Sequence, residues 1–263
     1  MPELPEVNNF ARIFEAAALH QTIREVEVHD DYIIRNMDGD TFAERLAGRT
    51  ITGSLRRGKY LFAQLDNGHD LLLHFGMTGD LNFYENEEDR SRYERFVLIF
   101  STGQRLGFDD PRKFARILYL EDRAAYIEEI KLGPDALVVT DEELEAAMTG
   151  RKTTIKALLL NQSILAGVGN LYADEICYRA GIRPDRRLDT LTDEERGQLI
   201  ARTHDTMGRA AAEAPYYKDY PPNWFWKVWR HEGRDCDKPD CGGSIARTKV
   251  AGRTTMFCAT CQA

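Results

Sequence analysis

The sequence predicts an α+β, multidomain protein with a helix and an antiparallel β-domain first, then a helical domain and a short tail held by a metal. Three observations predict this fold class. Short strand-like runs fill residues 22–120 after one N-terminal helical stretch, and helical periodicity returns from about residue 124. Four of the five cysteines then fall within residues 236–261. At 263 residues the chain is long enough for two domains and a small appendage.

The N-terminal half begins with a helix predicted over residues 4–20, because Val7, Phe10 and Phe14 recur at helical spacing. The strand-like runs that follow are Ile23–Val28, Tyr60–Leu65, Leu71–Phe75, Phe96–Phe100 and Ala115–Leu120. Gly, Asp and Asn separate these runs, as they do in tight connections between antiparallel strands. The pattern therefore indicates an antiparallel β-sandwich or a barrel.

The C-terminal half reads as helices followed by a break and a tail. Helices are predicted near residues 141–149, 153–161, 170–180 and 193–213. A segment rich in Pro and Tyr at 215–222 ends the helical part. We therefore expect domains at 1–125, 126–222 and 223–263.

Charge and hydropathy exclude some classes of protein. No apolar run approaches the ~18 residues that span a bilayer, and the acidic N-terminus is unlike a secretory signal. We therefore expect a cytoplasmic protein without a membrane partner. The net charge of −8 alone argues against nucleic acid as a partner. However, seven basic and four acidic residues lie between 224 and 263, so one face can still be positive.

The four late cysteines, Cys236, Cys241, Cys258 and Cys261, form two close pairs separated by 16 residues. Such spacing places four thiolates around one tetrahedral ion, and a strand–turn–strand fits between the pairs. The sequence predicts one structural Zn²⁺, since four thiolates leave no open position for a water. The alternative is four free or buried thiols. The fifth cysteine, Cys177, lies in an apolar helical stretch and is predicted to be part of the core.

Six motifs in order carry a resemblance to a known family. They are Pro2-Glu3-Leu4-Pro5-Glu6-Val7, Arg56-Arg57-Gly58-Lys59-Tyr60, His74-Phe75-Gly76-Met77-Thr78-Gly79, Asp110-Pro111-Arg112-Lys113-Phe114, Gly167-Val168-Gly169-Asn170 and the terminal cysteine hairpin. Over nearly its whole length the chain resembles the formamidopyrimidine-DNA glycosylase and endonuclease VIII family, and it is closer to the first branch. Each motif alone is weak, whereas their order and spacing together are specific.

The resemblance implies a fold, an activity and a partner. The fold would be an N-terminal β-sandwich, a helix–two-turn–helix domain and a zinc-finger β-hairpin, with DNA held in the cleft between the halves. The activity would be that of a bifunctional DNA glycosylase and AP lyase of base excision repair. The partner would be double-stranded DNA with a damaged base or an abasic site, bound by a monomer associated with the nucleoid.

The catalytic residues implied by the resemblance are Pro2, Glu3, Lys59 and Arg253. Loss of Met1 would expose the secondary amine of Pro2, and the low pKa of an α-amino group leaves part of it neutral and nucleophilic. Glu3 would protonate the deoxyribose ring oxygen. Lys59 would contact phosphate and assist elimination, although a solvated surface lysine is the alternative. Arg253 would bind the phosphates that flank the lesion.

The DNA-binding residues implied by the resemblance are Met77, Tyr93, Arg112, Phe114, Lys152, Lys156, Gly169 and Asn170. Apolar wedges and an arginine fill the hole that a flipped base leaves, which is the role expected for Met77, Arg112 and Phe114. Core packing is the alternative for the Met and the Phe. Tyr93 stands where many relatives have a DNA-contacting His.

Departures from the family pattern leave the preferred lesion open. The first cysteine pair encloses four residues instead of two, and segment 214–225 lacks the Gly-rich loop of the enzymes that act on oxidised guanine. A rival hypothesis from another class is a zinc-dependent protein that binds damaged DNA without catalysis. The presence of Pro2 and Glu3 argues against this rival, because a binding protein has no need of them.

Overall fold

The computed structural model describes residues 2–213, 224 and 231–263, and the chain forms two compact units, Met1–Ile130 and Lys131–Ala263. The first unit contains α1 (Leu4–Ala18), β1 (Ile23–Val28), α2 (Gly39–Leu46), β2 (Ile51–Arg57), β3 (Tyr60–Leu65), β4 (Asp70–His74), β5 (Asp80–Tyr84), β6 (Glu94–Phe100), β7 (Arg105–Asp109), β8 (Arg116–Leu120) and α3 (Arg123–Glu129). The second unit contains α4 (Asp141–Met148), α5 (Ile155–Leu160), α6 (Asn170–Ala180), α7 (Asp193–Glu213), β9 (Ile245–Val250) and β10 (Arg253–Cys258).

The first unit is a sandwich of two four-stranded antiparallel sheets. One sheet has the order β1-β6-β7-β5 and the other the order β2-β3-β4-β8. Side chains from both sheets and from α1 line a gap of only about 10 Å³, and they include Leu73, Leu98 and Phe108. The inner faces therefore interdigitate at close to the density of a protein interior. This arrangement confirms the predicted antiparallel β-sandwich and excludes the barrel.

Helix α1 begins at a capping box and lies along one edge of the sandwich. The backbone N–H of Glu3 donates to Glu6 Oε2 at 2.8 Å, and the Glu3 side chain accepts in return from the first turn. Near the other end of the helix, Ser54 Oγ donates to Glu15 Oε1 at 2.8 Å, and the N–H of His20 donates to the carbonyl of Ile51. Helix α1 is thus antiparallel to β2, with the helix start towards the end of that strand.

Several elements of the first unit were not predicted, among them α2, β5, β7 and α3. Strands β2 and β5 are edge strands with polar residues, so they lack the apolar pattern that marks a strand. Strand β7 contains Gly107, a residue type that indicates a turn in the sequence. In the structure a Cβ at this position would lie 2.1 Å from Glu94 Oε2, so the glycine makes room for a buried carboxylate of the neighbouring strand.

The second unit is built around α6. Helices α5 and α7 and strand β10 all pack on it, and α7 also contacts α4. The side chain of Gln162 organises the loop between α5 and α6, because its amide donates to the carbonyl of Val168 and its oxygen accepts from the N–H of Gly167. The four predicted helices of this half are confirmed. In residues 2–213 and 231–263 no helix combines the length and the apolarity needed to cross a bilayer.

Candidate functional site

Pro2 is held against the start of α1. Pro2 is half-buried, and the Glu3 side chain next to it is buried with only 1% exposed. Glu3 is the N-cap of α1, so its carboxylate lies at the positive end of the helix dipole. The N-terminus is therefore attached to a rigid helix start and carries a carboxylate at the adjacent position, which suits paired nucleophilic and acid–base roles.

Lys59 lies at the same end of the sandwich as this helix start. From Glu15 back to Leu4 the helix covers about 16 Å, and from Ser54 forward to Lys59 the strand also covers about 16 Å. Lys59 is the second residue of the two-residue turn between β2 and β3. Gly58 takes the positive φ of 57° that this turn needs. The turn thus presents the lysine at the rim of the sandwich.

His74 is a residue of this region whose role the sequence alone does not reveal. It pairs with Tyr60 across β3 and β4, and its Nδ1 accepts from the N–H of Gly76 at 3.3 Å. Burial, together with the positive charges of Arg116 and Lys59, lowers the pKa of His74 to about 4. The imidazole is therefore neutral at physiological pH. It was missed because the sequence shows that a histidine is present but not which charges surround it.

We expect the buried His74 to make the protein less stable as the pH falls. The unfolded chain takes up a proton near pH 6.5, whereas the folded chain does so only near pH 4, so stability is complete above the first value and is lost towards the second. Between pH 7 and pH 5 this one group removes roughly 2 kcal/mol. Urea unfolding of the wild type and of His74→Asn at both values measures the difference, since Asn keeps an acceptor but does not titrate.

The exposed His20 provides the control for this substitution, because its positive φ of 63° is one that Asn tolerates. His20→Asn is expected to leave the wild-type difference between pH 7 and pH 5 in place. If His74→Asn lost as much stability on acidification as the wild type, the histidine would not be the cause.

Met77, Arg112 and Phe114 are brought together on two loops of the first unit. Met77 is 41% exposed and Phe114 is 46% exposed. The guanidinium of Arg112 lies over the Phe114 ring, 4.6 Å from its centroid. A Cβ on Gly76 would lie 2.4 Å from the backbone of Phe114, so the two loops touch closely. We call Met77, Arg112 and Phe114 the exposed ridge. Their exposure is incompatible with core packing for the Met and the Phe.

Asp110 organises the loop of the exposed ridge, a role that the sequence alone does not reveal. Its fully buried carboxylate accepts from Thr78 Oγ1 at 2.5 Å, from the N–H of Arg112 at 3.2 Å and from the N–H of Ala115 at 2.8 Å. One side chain thus joins the Met77 loop to the Arg112 loop. The sequence signal was the Asp-Pro pair, which indicates a turn but not the second loop that it holds.

Tyr93 borders the same loop. Its backbone carbonyl accepts from the N–H of Asp110 at 3.0 Å, and its side chain is exposed. The guanidinium of Arg92 stacks on the Tyr93 ring at 4.6 Å from the centroid. Tyr93 therefore presents a second stacked pair of an aromatic ring and a cation beside the exposed ridge.

Gly169, Asn170 and Lys152 belong to the second unit. Gly169 is the N-cap of α6 and Asn170 its first residue, so their amides lie at a helix N-terminus, where phosphate is favoured. The Oδ1 atom of Asn170 is buried and has no hydrogen-bond partner within the described residues. Lys152 is exposed just ahead of α5. These positions are compatible with the expected phosphate contacts.

Lys156 differs from the DNA-contacting residue that was expected. Its side chain is fully buried, and its Nζ donates to Asp174 Oδ1 at 2.5 Å and to Thr255 Oγ1 at 2.8 Å. An ammonium that is enclosed in this way has no solvent face on which a phosphate could bind. The prediction of a DNA contact at Lys156 was therefore wrong. The motif was read correctly as a helix–loop–helix, but burial of the lysine could not be read from its charge.

The four cysteines that were predicted to bind metal form one cluster, and their Sγ atoms all lie within 4.8 Å of one another. The pairs Cys236–Cys261 and Cys241–Cys258 are 3.7 and 3.6 Å apart. Tetrahedral Zn²⁺ with Zn–S bonds of about 2.3 Å requires S–S distances of about 3.8 Å. The residues fit one structural zinc ion, and the chain holds it through these four thiolates. Cys177 is buried outside the cluster, as predicted for a core residue.

Arg253 stands at the tip of the hairpin that the cysteines close. The turn consists of Ala251 and Gly252, both with positive φ, which is the geometry of a type I′ turn. Arg253 is the first residue of β10 and pairs with Val250. Its side chain is exposed. The hairpin therefore presents one cation at its end.

Removal of a base from duplex DNA requires groups that enter the helix, groups that hold phosphate and a nucleophile that reaches the sugar. Groups of these three chemical kinds are present in the chain: the exposed ridge, the α6 N-terminus and Arg253, and Pro2 at the capped start of α1. The fold and the site define a DNA glycosylase with a zinc-finger hairpin.

Comparison with known proteins identifies the family. Residues 1–117 match the formamidopyrimidine-DNA glycosylase N-terminal domain, residues 132–216 its H2TH domain, and residues 236–263 the zinc finger found in FPG and IleRS. The chain is 36% identical to the formamidopyrimidine-DNA glycosylase of Heliobacterium modesticaldum and 34% identical to that of Pelotomaculum thermopropionicum, with 100% of this chain and at least 99% of each relative covered. The chain belongs to the formamidopyrimidine-DNA glycosylase family.

Solved structures agree with this assignment over the whole chain. The Lactococcus lactis enzyme bound to DNA with an AP site has a TM-score of 0.88 at 26% identity, with 99% of both chains covered. MutM in complex with DNA that contains carbocyclic 8-oxo-G has a TM-score of 0.90 at 27% identity, with 100% of both chains covered. The expected architecture of sandwich, helix–two-turn–helix domain and zinc hairpin is confirmed. The sequence of segment 214–225 lacks the Gly-rich loop, and of this segment only Trp224 lies among the described residues.

Proposed function

We propose that the chain excises oxidised bases from duplex DNA through a Schiff base on Pro2 and then cleaves the strand at the abasic site. The observation that carries this proposal is the N-terminal geometry. Pro2 is joined to the capped start of α1, its neighbour Glu3 is buried there, and Lys59 lies at the same end of the sandwich. A protein that only binds DNA needs none of these three groups in this arrangement.

The chemistry follows from the nature of each group. The neutral secondary amine of Pro2 attacks C1′, the bond to the damaged base breaks, and Glu3 protonates the ring oxygen as the sugar opens. The resulting iminium is charged without a further proton, so it acidifies the hydrogen on C2′. Loss of that proton expels the 3′ phosphate. Removal of a second proton expels the 5′ phosphate, and this step is assisted by the cations of Lys59 and Arg253.

The remaining residues bind the duplex. The exposed ridge fills the space that the flipped base leaves, with Met77 and Phe114 replacing the missing stacking and Arg112 facing the orphaned base. Tyr93 contacts the backbone beside the ridge, where it takes the place of a histidine. Lys152 and the α6 start at Gly169 and Asn170 hold phosphates, and the protein acts on chromosomal DNA at the nucleoid.

An oxidised purine is the first substrate to test, because similar proteins were solved with FAPY-dG and with carbocyclic 8-oxo-G in their DNA. Sodium borohydride trapping on duplexes that carry an abasic site, 8-oxoguanine or dihydrouracil tests the proposal. We expect a covalent adduct whose intact mass corresponds to protein without Met1, and the lesion that gives it identifies the substrate class. Salt-dependent duplex binding without an adduct on any of the three would favour the non-catalytic alternative.

A further inference from the structure

A buried polar chain runs from α5 and α6 to the backbone of Arg253. Lys156 Nζ donates to Asp174 Oδ1 and to Thr255 Oγ1, at 2.5 and 2.8 Å. The hydroxyl of Thr255 donates in turn to the carbonyl of Arg253 at 3.1 Å. Every member between the two ends is buried, and the last acceptor is the backbone of the exposed cation at the hairpin tip.

The same two charged residues also hold the strand on either side of Thr255. Lys156 Nζ donates to the carbonyl of Thr254 at 3.2 Å, and the N–H of Met256 donates to Asp174 Oδ2 at 3.4 Å. The ion pair thus fixes consecutive residues of β10 from behind. The opposite strand β9 holds them through the ladder, in which Thr255 faces Thr248.

A buried ion pair is a poor means of gaining stability, because a well-packed apolar pair of similar size serves as well or better. Its directional hydrogen bonds do specify register, however, and a slip by one residue turns every side chain of a strand to the other face. In β10 such a slip would turn Arg253 to the opposite face of the hairpin. The position of the pair therefore suits control of where Arg253 points.

We propose that Lys156, Asp174 and Thr255 are positioning residues that set the phosphate contact of Arg253. This inference rests on the proposed function, in which Arg253 binds the phosphates next to the lesion. The three residues act only through the arginine and touch no DNA. Their removal should therefore resemble a weakened Arg253 and add nothing once Arg253 itself is replaced.

The test uses Thr255→Val, which removes one hydroxyl and preserves the shape of a strand residue. Thr248→Val is the matched control, because it removes a hydroxyl from the facing position of the same hairpin. Binding to a duplex with a tetrahydrofuran abasic analogue is measured against salt concentration, with zinc content determined for each protein. We expect Thr255→Val to weaken binding about 3- to 10-fold with one zinc retained, and Thr255→Ser to restore it.

A double-mutant cycle with Arg253→Gln decides whether the effect runs through the arginine. We expect the salt slope to fall by about 0.9 in Arg253→Gln, and Thr255→Val to cause no further loss of affinity in that background. Losses of affinity that add, or a Thr255→Val protein that behaves like Thr248→Val, would overturn the positioning role. So would an unchanged slope in Arg253→Gln, which removes the phosphate-binding group itself.

Lys156→Met combined with Asp174→Leu gives an independent check, because it removes both charges and leaves neither buried alone. We expect it to weaken binding as Thr255→Val does, and unchanged binding in this folded, zinc-containing variant would also overturn the inference. Borohydride trapping of the wild type is followed in parallel. Absence of the adduct would refute the proposed catalysis, whereas the binding cycle reports on the positioning chain alone.

Discussion

Pro2→Gly is expected to lower strand cleavage at a damaged base by at least about 10³-fold, because it replaces the secondary amine of the covalent pathway with a primary amine. The amine of glycine is primary, so its imine must gain a proton before it can draw electrons from C2′. Glycine also loses the fixed backbone angle that directs the amine from the helix start. Duplex affinity should change little, since the groups that bind phosphate lie elsewhere. Cleavage is measured by single turnover on the lesion that gives the trapped adduct.

Pro5→Ala is the matched control for this change. Pro5 lies in the first turn of the same helix, and its substitution alters a proline without touching the amine. We expect it to keep cleavage close to that of the wild type. If Pro2→Gly and Pro5→Ala both cleaved at the wild-type rate, Pro2 would not be the nucleophile. A loss of cleavage in both proteins would instead indicate that the helix start, and not the amine, had been damaged.

Elements with a clear hydrophobic period could be predicted from the sequence. Strands β1 and β3 occur where they were expected, and α6 and α7 have the predicted bounds. The zinc cluster was also predictable, because thiolate spacing reports directly on the geometry around an ion. These features share a property. The residues that define each one lie close together in the sequence or are few in type, so a local pattern is sufficient.

Groups whose role depends on distant partners could not be predicted. Lys156 was read as a phosphate contact, because a lysine in a family motif reports a charge and not the Asp174 carboxylate that lies 18 positions away. The roles of His74 and Asp110 could not be predicted for the same reason. Their roles depend on Arg116 and on the Met77 loop, which meet them only after the strands pair. Buried polar networks join residues that are distant in the sequence. The sequence shows the members of such a network but not which of them pair.

The acidic net charge is compatible with DNA binding, because exposed cations are present on individual surface segments. Arg112, Lys152 and Arg253 are exposed, and each lies on a loop or an element start that can reach a phosphate or a base. Many acidic residues of the second unit are engaged by arginines, such as Glu195 with Arg186 at 2.5 Å. Exposed cations on such segments can bind phosphate although the whole chain is acidic, and affinity should depend steeply on salt.

Removal of zinc is expected to unfold the β9–β10 hairpin and to weaken duplex binding by at least about 10-fold, with a salt slope lower by about 0.9 for each phosphate that the protein no longer binds. The hairpin has a small core, in which Ile245, Met256 and Cys258 pack with each other, with Tyr178 of α6 and with the other three cysteines. A structural zinc contributes about 10–16 kcal/mol to the folding of such small modules. Chelation, followed by zinc content and salt-dependent binding, measures the effect.

Cys258→Ser and Cys177→Ala separate the zinc effect from the general effect of replacing a cysteine. Cys258 belongs to the cluster and is buried within it, so its substitution should release the ion and reproduce the chelated protein. Cys177 is equally buried but lies outside the cluster, and burial raises the pKa of its thiol, so Cys177→Ala should keep one zinc and bind DNA as the wild type does. Arg253 is carried by the hairpin that the zinc site closes. Its binding to phosphate should therefore disappear when the metal is removed. Full DNA affinity in zinc-free protein would mean that the packing of β10 on α6 holds the hairpin without the ion.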